Sequence, residues 1–166
     1  MSTVVLTLDN DVSTDVIYPG RYMATVLPSE TPQYAFADDA ALCASLNGGE
    51  IPRGSVLVAG RNFGCGSSRE QAASCLKGWE LTIVARSFAR IFLQNAINLG
   101  LDVVIAPDIE ASPGDELMVS KEKVVNSTTG RDFVIEPLPK SRQTVIDAGG
   151  LIPYTRQRVL EAARQP

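Results

Sequence analysis

Three short apolar runs limit what this chain can fold into. Residues 55–59 (SVLVA), 81–85 (LTIVA) and 102–106 (DVVIA) are continuous in hydrophobicity rather than alternating. Strands buried on both faces read this way, and parallel strands usually are. Helical patterns separate the runs. Ala72, Ala73, Leu76 and Trp79 mark one face of the first helix; Phe88, Ile91, Phe92, Ala96 and Leu99 mark one face of the second. Gly100 stands where a left-handed residue closes a helix. The order β-α-β-α-β predicts right-handed crossovers on a central parallel sheet, an α/β fold.

The flanks are read around that core. Residues 3–8 are β-branched and predict a strand. Residues 9–21 are polar and acidic, close on Pro19-Gly20, and predict a loop in which Asp9 and Asp11 serve turn geometry. Residues 29–46 are Ala-rich, with helical starts near Thr31-Pro32 and Asp38, and read as a surface excursion. From Asp115 the texture changes to short strands at 116–120, 123–127 and 132–136, an antiparallel portion. Helices are expected at 143–148 and 155–163. The chain of 166 residues is expected to form one domain, 1–166.

Composition narrows the function. A net charge of −4 argues against nucleic acid as the main partner. No apolar run approaches the ~20 residues of a membrane span, and the N-terminus enters β-type sequence without a basic leader. The three cysteines, Cys43, Cys65 and Cys75, show no paired spacing, so a reducing, cytoplasmic location is expected. Histidine is absent, which excludes a Ser-His-Asp triad and an imidazole zinc site. No metal site is expected on this chain, and any metal chemistry must come from another chain or a bound ion.

The chemistry concentrates in residues 60–70, G-R-N-F-G-C-G-S-S-R-E. Gly64 and Gly66 bracket Cys65 and let the backbone take positive φ close to a ligand. Ser67, Ser68 and Arg69 are predicted at the start of the first helix, where free N–H groups and the helix dipole favour an anion. Arg69 adds a fork suited to a carboxylate. A capping box, Ser67-x-x-Glu70, is the competing account, and it needs no ligand. It explains one serine and the glutamate, but not two glycines, a second serine and an arginine together. No Lys-Ser/Thr follows the glycines, so the turn is not a P-loop. Arg69 stands where a dinucleotide fingerprint has its third glycine.

The turn, followed by A-R-S-F-A-R-I-F-x-x-N-A-I-N-x-G-L and preceded by D-N-D-V-S-T-D-V-I-Y-P-G-R-Y, resembles the small-subunit family of 3-isopropylmalate dehydratases, relatives of the aconitase swivel domain. These motifs cover most of residues 1–106, in family order. The resemblance implies a swivel β/β/α fold that closes over a larger subunit carrying an iron–sulfur cluster of the 4Fe–4S type. The cluster's open iron would accept the substrate hydroxyl, and this chain would bind no cofactor itself. Carried over by position, Ser67 matches the catalytic serine that takes the proton α to a carboxylate. Ser68 and Arg69 match substrate-carboxylate contacts, Asp15 matches an active-site acid, and Arg21 lies where the family places a further substrate-facing arginine.

Two departures stand out. The family's histidine after S-R-E is here Gln71. Cys65 invites a cluster-ligand reading, although the resemblance assigns the ligands to the large subunit; small packing or an exposed thiol is the other reading. Tyr22, Met23, Ala24 and Thr25 occupy the family's specificity loop. Ala24 offers no charge for an extra carboxylate, which favours an apolar or small substituent, as in isopropylmalate or a methylated malate; a plain turn residue is the alternative. Asn95 and Asn98, within an apolar helix, are expected to hydrogen-bond backbone or a partner. The implied activity is a hydro-lyase of leucine biosynthesis that works in a heterodimer or heterotetramer. The alternatives are a dehydratase for dimethylmalate, methylmalate/citraconate or homoaconitate, and a non-catalytic anion-binding module.

Overall fold

The computed structural model describes residues 1–164. Strand β1 (Ser2–Leu8) is followed by a single helical turn, α1 (Thr14–Ile17), 3-10 turns at Gly20–Tyr22 and Thr31–Tyr34, and helix α2 (Ala40–Asn47). The core then runs β2 (Val56–Ala59), α3 (Glu70–Gly78), β3 (Thr82–Ala85), α4 (Arg90–Leu99) and β4 (Val103–Ile105). Strands β5 (Glu116–Val119), β6 (Lys123–Asn126) and β7 (Arg131–Val134) lead to α5 (Lys140–Asp147) and α6 (Leu151–Ala162). The seven strands form one sheet in the order β4-β3-β2-β1-β5-β6-β7. The first four are parallel and the last three antiparallel. The segment after β7 returns to β4, where Glu136 N–H donates to Ile105 O at 2.8 Å, so the two ends of the sheet meet.

Period-two alternation sends each core strand into two apolar layers. Leu57, Ala59, Ile83 and Ala85 face α3 and α4, whereas Val56, Val58 and Val84 face Ile109, Val124 and Phe133. Strand β1 shifts register between Val4 and Leu6. One extra residue there turns the following side chains to the opposite face. Val4 therefore joins the second layer, while Leu6 and Leu8 pack toward the helices. Gly100, at φ 69°, closes α4 as the sequence predicts.

Three expectations need correction, and one competing account falls. The first helix starts at Glu70, so Ser67 and Ser68 lie ahead of it and Arg69 is its N-cap. The capping box does not form, because no side chain caps that helix. The loop predicted over residues 9–21 contains α1, capped by Ser13, whose hydroxyl accepts from Val16 N at 3.3 Å. Lastly, residues 29–46 are not a surface excursion. Ala35, Phe36 and Leu46 are buried, and Thr31 Oγ1 shares a buried hydrogen bond of 2.8 Å with Ser74 on α3. The close approach to α3 is made by the turn at Thr31–Tyr34. A Cβ at Gly78 would sit only 2.2 Å from Pro32 Cγ.

Candidate functional site

The parallel strands end level with one another: Leu8 lies beside Ala59, Ala59 beside Ala85, and Ala85 beside Ile105. Ligands in open α/β sheets bind outside such carboxyl ends. Three loops leave this edge and zip together. Asp11 N donates to Arg61 O at 2.8 Å, Gly64 N to Val12 O at 2.8 Å, and Thr14 N to Cys65 O at 2.8 Å. From the other side, Phe63 N donates to Ser87 O at 3.0 Å and Ala89 N to Phe63 O at 2.9 Å. Asp11, at φ 58°, accepts from Asn62 Nδ2 at 2.7 Å, so its carboxylate ties two loops together rather than bonding its own backbone. The glycine turn is thus held on both flanks, with Gly64 at φ 80° and Gly66 at φ 93°.

That frame brings Asp15, Ser67, Ser68 and Arg69 to one corner. Ser67 and Ser68 are exposed. Thr14 Oγ1 donates to Ser67 O at 3.2 Å and lies 3.3 Å from Ser67 Oγ. Asn95 Nδ2 donates to Ser68 O at 3.2 Å, so this asparagine does bond backbone. Asn98 instead accepts from Gln94 Nε2 at 3.0 Å. The Arg69 side chain is only 13% exposed; its Nη1 pairs with the Asp15 carboxylate and donates to Tyr18 O at 3.4 Å. Among the described residues its Nε is the one buried side-chain nitrogen or oxygen without a hydrogen-bond partner. Gly20 completes the corner. Its N–H donates to Asp15 Oδ1 at 3.2 Å, and a Cβ there would stand 3.1 Å from Arg69 Nη2.

The Arg69 hydrogen bond holds the Asp15 carboxyl below its ordinary range, opposed by partial burial and helped by Arg69's charge and the Gly20 N–H. A folded-state pKa below the unfolded one adds stability that is fully present above about pH 4 and disappears as pH falls through the lower folded value. Asp15→Asn should therefore lower the melting temperature at pH 7. The difference from the unaltered protein should be constant from pH 6 to 8 and vanish in strong acid; a thermal melt series across pH checks this.

Other expected residues sit less simply. Arg21 Nη2 is paired with Asp38 Oδ1 at 2.6 Å, and its guanidinium lies 4.7 Å from the Tyr22 ring centroid. Tyr22 stacks on Tyr34 at 4.2 Å between centroids, Met23 and Ala24 are exposed, and Thr25 N donates to Tyr22 O at 2.9 Å. Gln71 Nε2 donates to Met23 O at 3.2 Å. The Cys65 thiol donates to Asp11 O at 3.2 Å, Cys43 points at Gln33 O, and Cys75 is buried, which pushes its thiol pKa up. Among the described residues no group of three or more Cys, Asp or Glu is placed to hold a metal ion, so the donors of this chain do not fit an iron–sulfur cluster.

The sequence pattern missed Thr14, Tyr18 and Gly20. Their roles arise from two loops meeting across 53 residues, as between Thr14 and Ser67, and no local signal reports that. Two concavities lie away from this corner: a groove along α6 lined by Leu151, Ile152 and Val159, and a cavity of about 670 Å³ lined by Val56, Val104 and Leu117. Their walls carry none of the predicted site residues. No helix among the described residues is long and apolar enough to cross a membrane.

The curled α/β sheet carries an arginine–aspartate corner at its carboxyl edge, and residues 44–106 match the family described as the Aconitase C-terminal domain, which places the chain in the aconitase class. Within that class, the chain belongs to the 3-isopropylmalate dehydratase small-subunit family. It is similar to the 3-isopropylmalate dehydratase small subunit of Moorella thermoacetica, with 41% identity covering 92% of this chain and 93% of that one. The corresponding protein of Methanosarcina mazei is 42% identical, over 92% of this chain and 94% of its own. The isopropylmalate/citramalate isomerase small subunit of Methanocaldococcus jannaschii is 38% identical, over 92% of each chain. A crystal structure of 3-isopropylmalate dehydratase (leuD) from M. jannaschii superposes with a TM-score of 0.88 at 35% identity, covering 99% of this chain and 98% of that one.

Proposed function

We propose that this chain is the substrate-clamping small subunit of a heteromeric hydro-lyase that interconverts 2- and 3-isopropylmalate by dehydration and rehydration. The observation that carries the reading is the state of Arg69. It is held in place by Asp15, yet neither its Nε nor its Nη2 makes a hydrogen bond among the described residues. A buried donor left unpaired, as Nε is here, is rare in folded proteins and calls for a ligand or water. A carboxylate on the Nε–Nη2 edge satisfies both groups as a bidentate pair. Membership of a hydro-lyase small-subunit family supports an acid with an α proton as that ligand.

In this reading Ser67 Oγ, as the alkoxide, accepts the proton α to the bound carboxylate. A serine alkoxide needs neighbouring positive charge, which Arg69 and the uncapped first turn of α3 supply once the large subunit covers this exposed corner and excludes water. Thr14, at 3.3 Å, orients the hydroxyl, and Ser68 lies beside the clamp. The cluster belongs to the large subunit, where it supplies Lewis-acid polarisation of the departing hydroxyl. A second substrate, citramalate, is favoured by the small uncharged Ala24 and by the M. jannaschii relative named for both acids.

The test is reconstitution with the cluster-bearing large subunit. The pair should interconvert the isopropylmalates, and this chain alone should not. Arg69→Lys keeps the charge and loses the fork. Since a hydrogen bond to a charged group is worth about 1.5–3 kcal/mol, KM should rise about ten- to hundred-fold. An unchanged KM would remove the clamp.

A further inference from the structure

Residues 20–27 run along the edge of the corner, and their anchors are unequal. The first part is held several ways. Gly20 N bonds Asp15, Arg21 pairs with Asp38, Tyr22 stacks on Tyr34, and Tyr18 Oη donates to Tyr22 O at 3.2 Å. Past Tyr22 the chain is exposed at Met23, Ala24, Val26 and Leu27. Among the described residues, one hydrogen bond joins that outer part to α3: Gln71 Nε2 to Met23 O, 3.2 Å, between residues 48 apart in sequence. Gln71 stands two residues after Arg69, in the first turn of the helix that Arg69 caps.

From this arrangement we infer that Gln71 is a specificity-positioning residue: it latches the Met23–Ala24 wall to the helix carrying the carboxylate clamp, and so fixes the space left for the substrate's alkyl substituent. The inference rests on the reading of the corner as the substrate site. Its physical content is a fixed span. The clamp positions the acid group and the latch positions the wall, both through one rigid turn of α3, so the substituent fits only within the remaining gap. Met23 and Ala24 present no charge or hydrogen-bonding side chain, and selection by such a wall acts through size. Without the latch the wall moves independently of the clamp, and size selection weakens. Gln71 touches no reacting atom and acts through Met23.

The test compares Gln71→Met, of similar shape without a donor, Gln71→Glu, whose ionised carboxylate cannot donate, and Gln71→His, which keeps a ring N–H at comparable reach. Each is assayed in the reconstituted complex with isopropylmalate and citramalate. A neutral hydrogen bond nets about 0.5–1.5 kcal/mol, so the preference between the two acids should shift about two- to twelve-fold in Gln71→Met and Gln71→Glu. The change should fall on KM rather than kcat, and Gln71→His should restore the native preference. Amide hydrogen exchange of residues 23–27 in the free subunit should speed up in the two donor-less variants. Faster exchange with an equal loss for both acids would reduce Gln71 to a structural tie and overturn the inference. Unchanged exchange would show that no latch exists. Turnover of neither acid by the unaltered pair would instead bring down the functional reading, and this assignment with it.

Discussion

Replacing Ser67 by alanine is expected to lower turnover of the reconstituted enzyme by about a hundred- to ten-thousand-fold, the range lost when a positioned base is removed. The same substitution should leave the fold nearly untouched. Ser67 is exposed and, among the described residues, caps no helix and makes one hydroxyl contact, 3.3 Å to Thr14. Loss of one such long hydroxyl contact costs about 0.5 kcal/mol, the low end for a hydrogen bond. A serine acting as a helix cap would give the opposite pattern: a stability loss of about 1 kcal/mol with turnover retained. Single-turnover kinetics, a denaturation curve and size-exclusion of the assembled pair separate the cases. Near-native kcat with normal assembly would rule out Ser67 as the base.

Gly64→Ala should have the largest effect on stability. The glycine sits at φ 80°, and an added Cβ would lie 2.2 Å from Phe92 Cγ and 2.5 Å from Phe92 Cβ. Phe92 cannot yield, because it is buried at 2% exposure and packed edge-on to Phe63 with centroids 5.2 Å apart. Overpacking of a core costs about 1–3 kcal/mol, and a left-handed alanine a further 1–2 kcal/mol or so. The sum, about 3 kcal/mol, is a large share of a domain's stability of about 5–15 kcal/mol. Gly66→Ala is the internal control. Its φ of 93° brings the same backbone strain, but the nearest atom, Thr14 Oγ1, is 3.5 Å away. Urea titration should show Gly66→Ala losing about half of what Gly64→Ala loses. Equal losses would mean that backbone strain alone accounts for both, and that the approach of α4 to the turn matters little.

The corner was legible in part because its chemistry is local. Gly64, Gly66, Ser67, Ser68 and Arg69 fall within six consecutive residues, and short-range physics predicts anion binding there. The precise form was not. Ser67-x-x-Glu70 satisfies the sequence rule for a capping box, but the helix begins later and the serine is left free. At Arg21 the structure adds a partner that its place in the sequence does not announce: Asp38, seventeen residues on, in an ion pair.

What the sequence determined by itself is the parallel core and the glycine-flanked turn with its two hydroxyls. Continuous apolar runs demand burial on both faces, and a glycine-flanked pair of hydroxyls demands a special backbone; both are properties of neighbouring residues. What the tertiary structure alone decided is which partners those residues meet. Asp15 with Arg69, Thr14 with Ser67, Gln71 with Met23 and Thr31 with Ser74 join segments 43 to 54 residues apart. Such pairings depend on where the level strand ends deliver their loops, and side-chain order along one chain does not encode distances across a sheet edge.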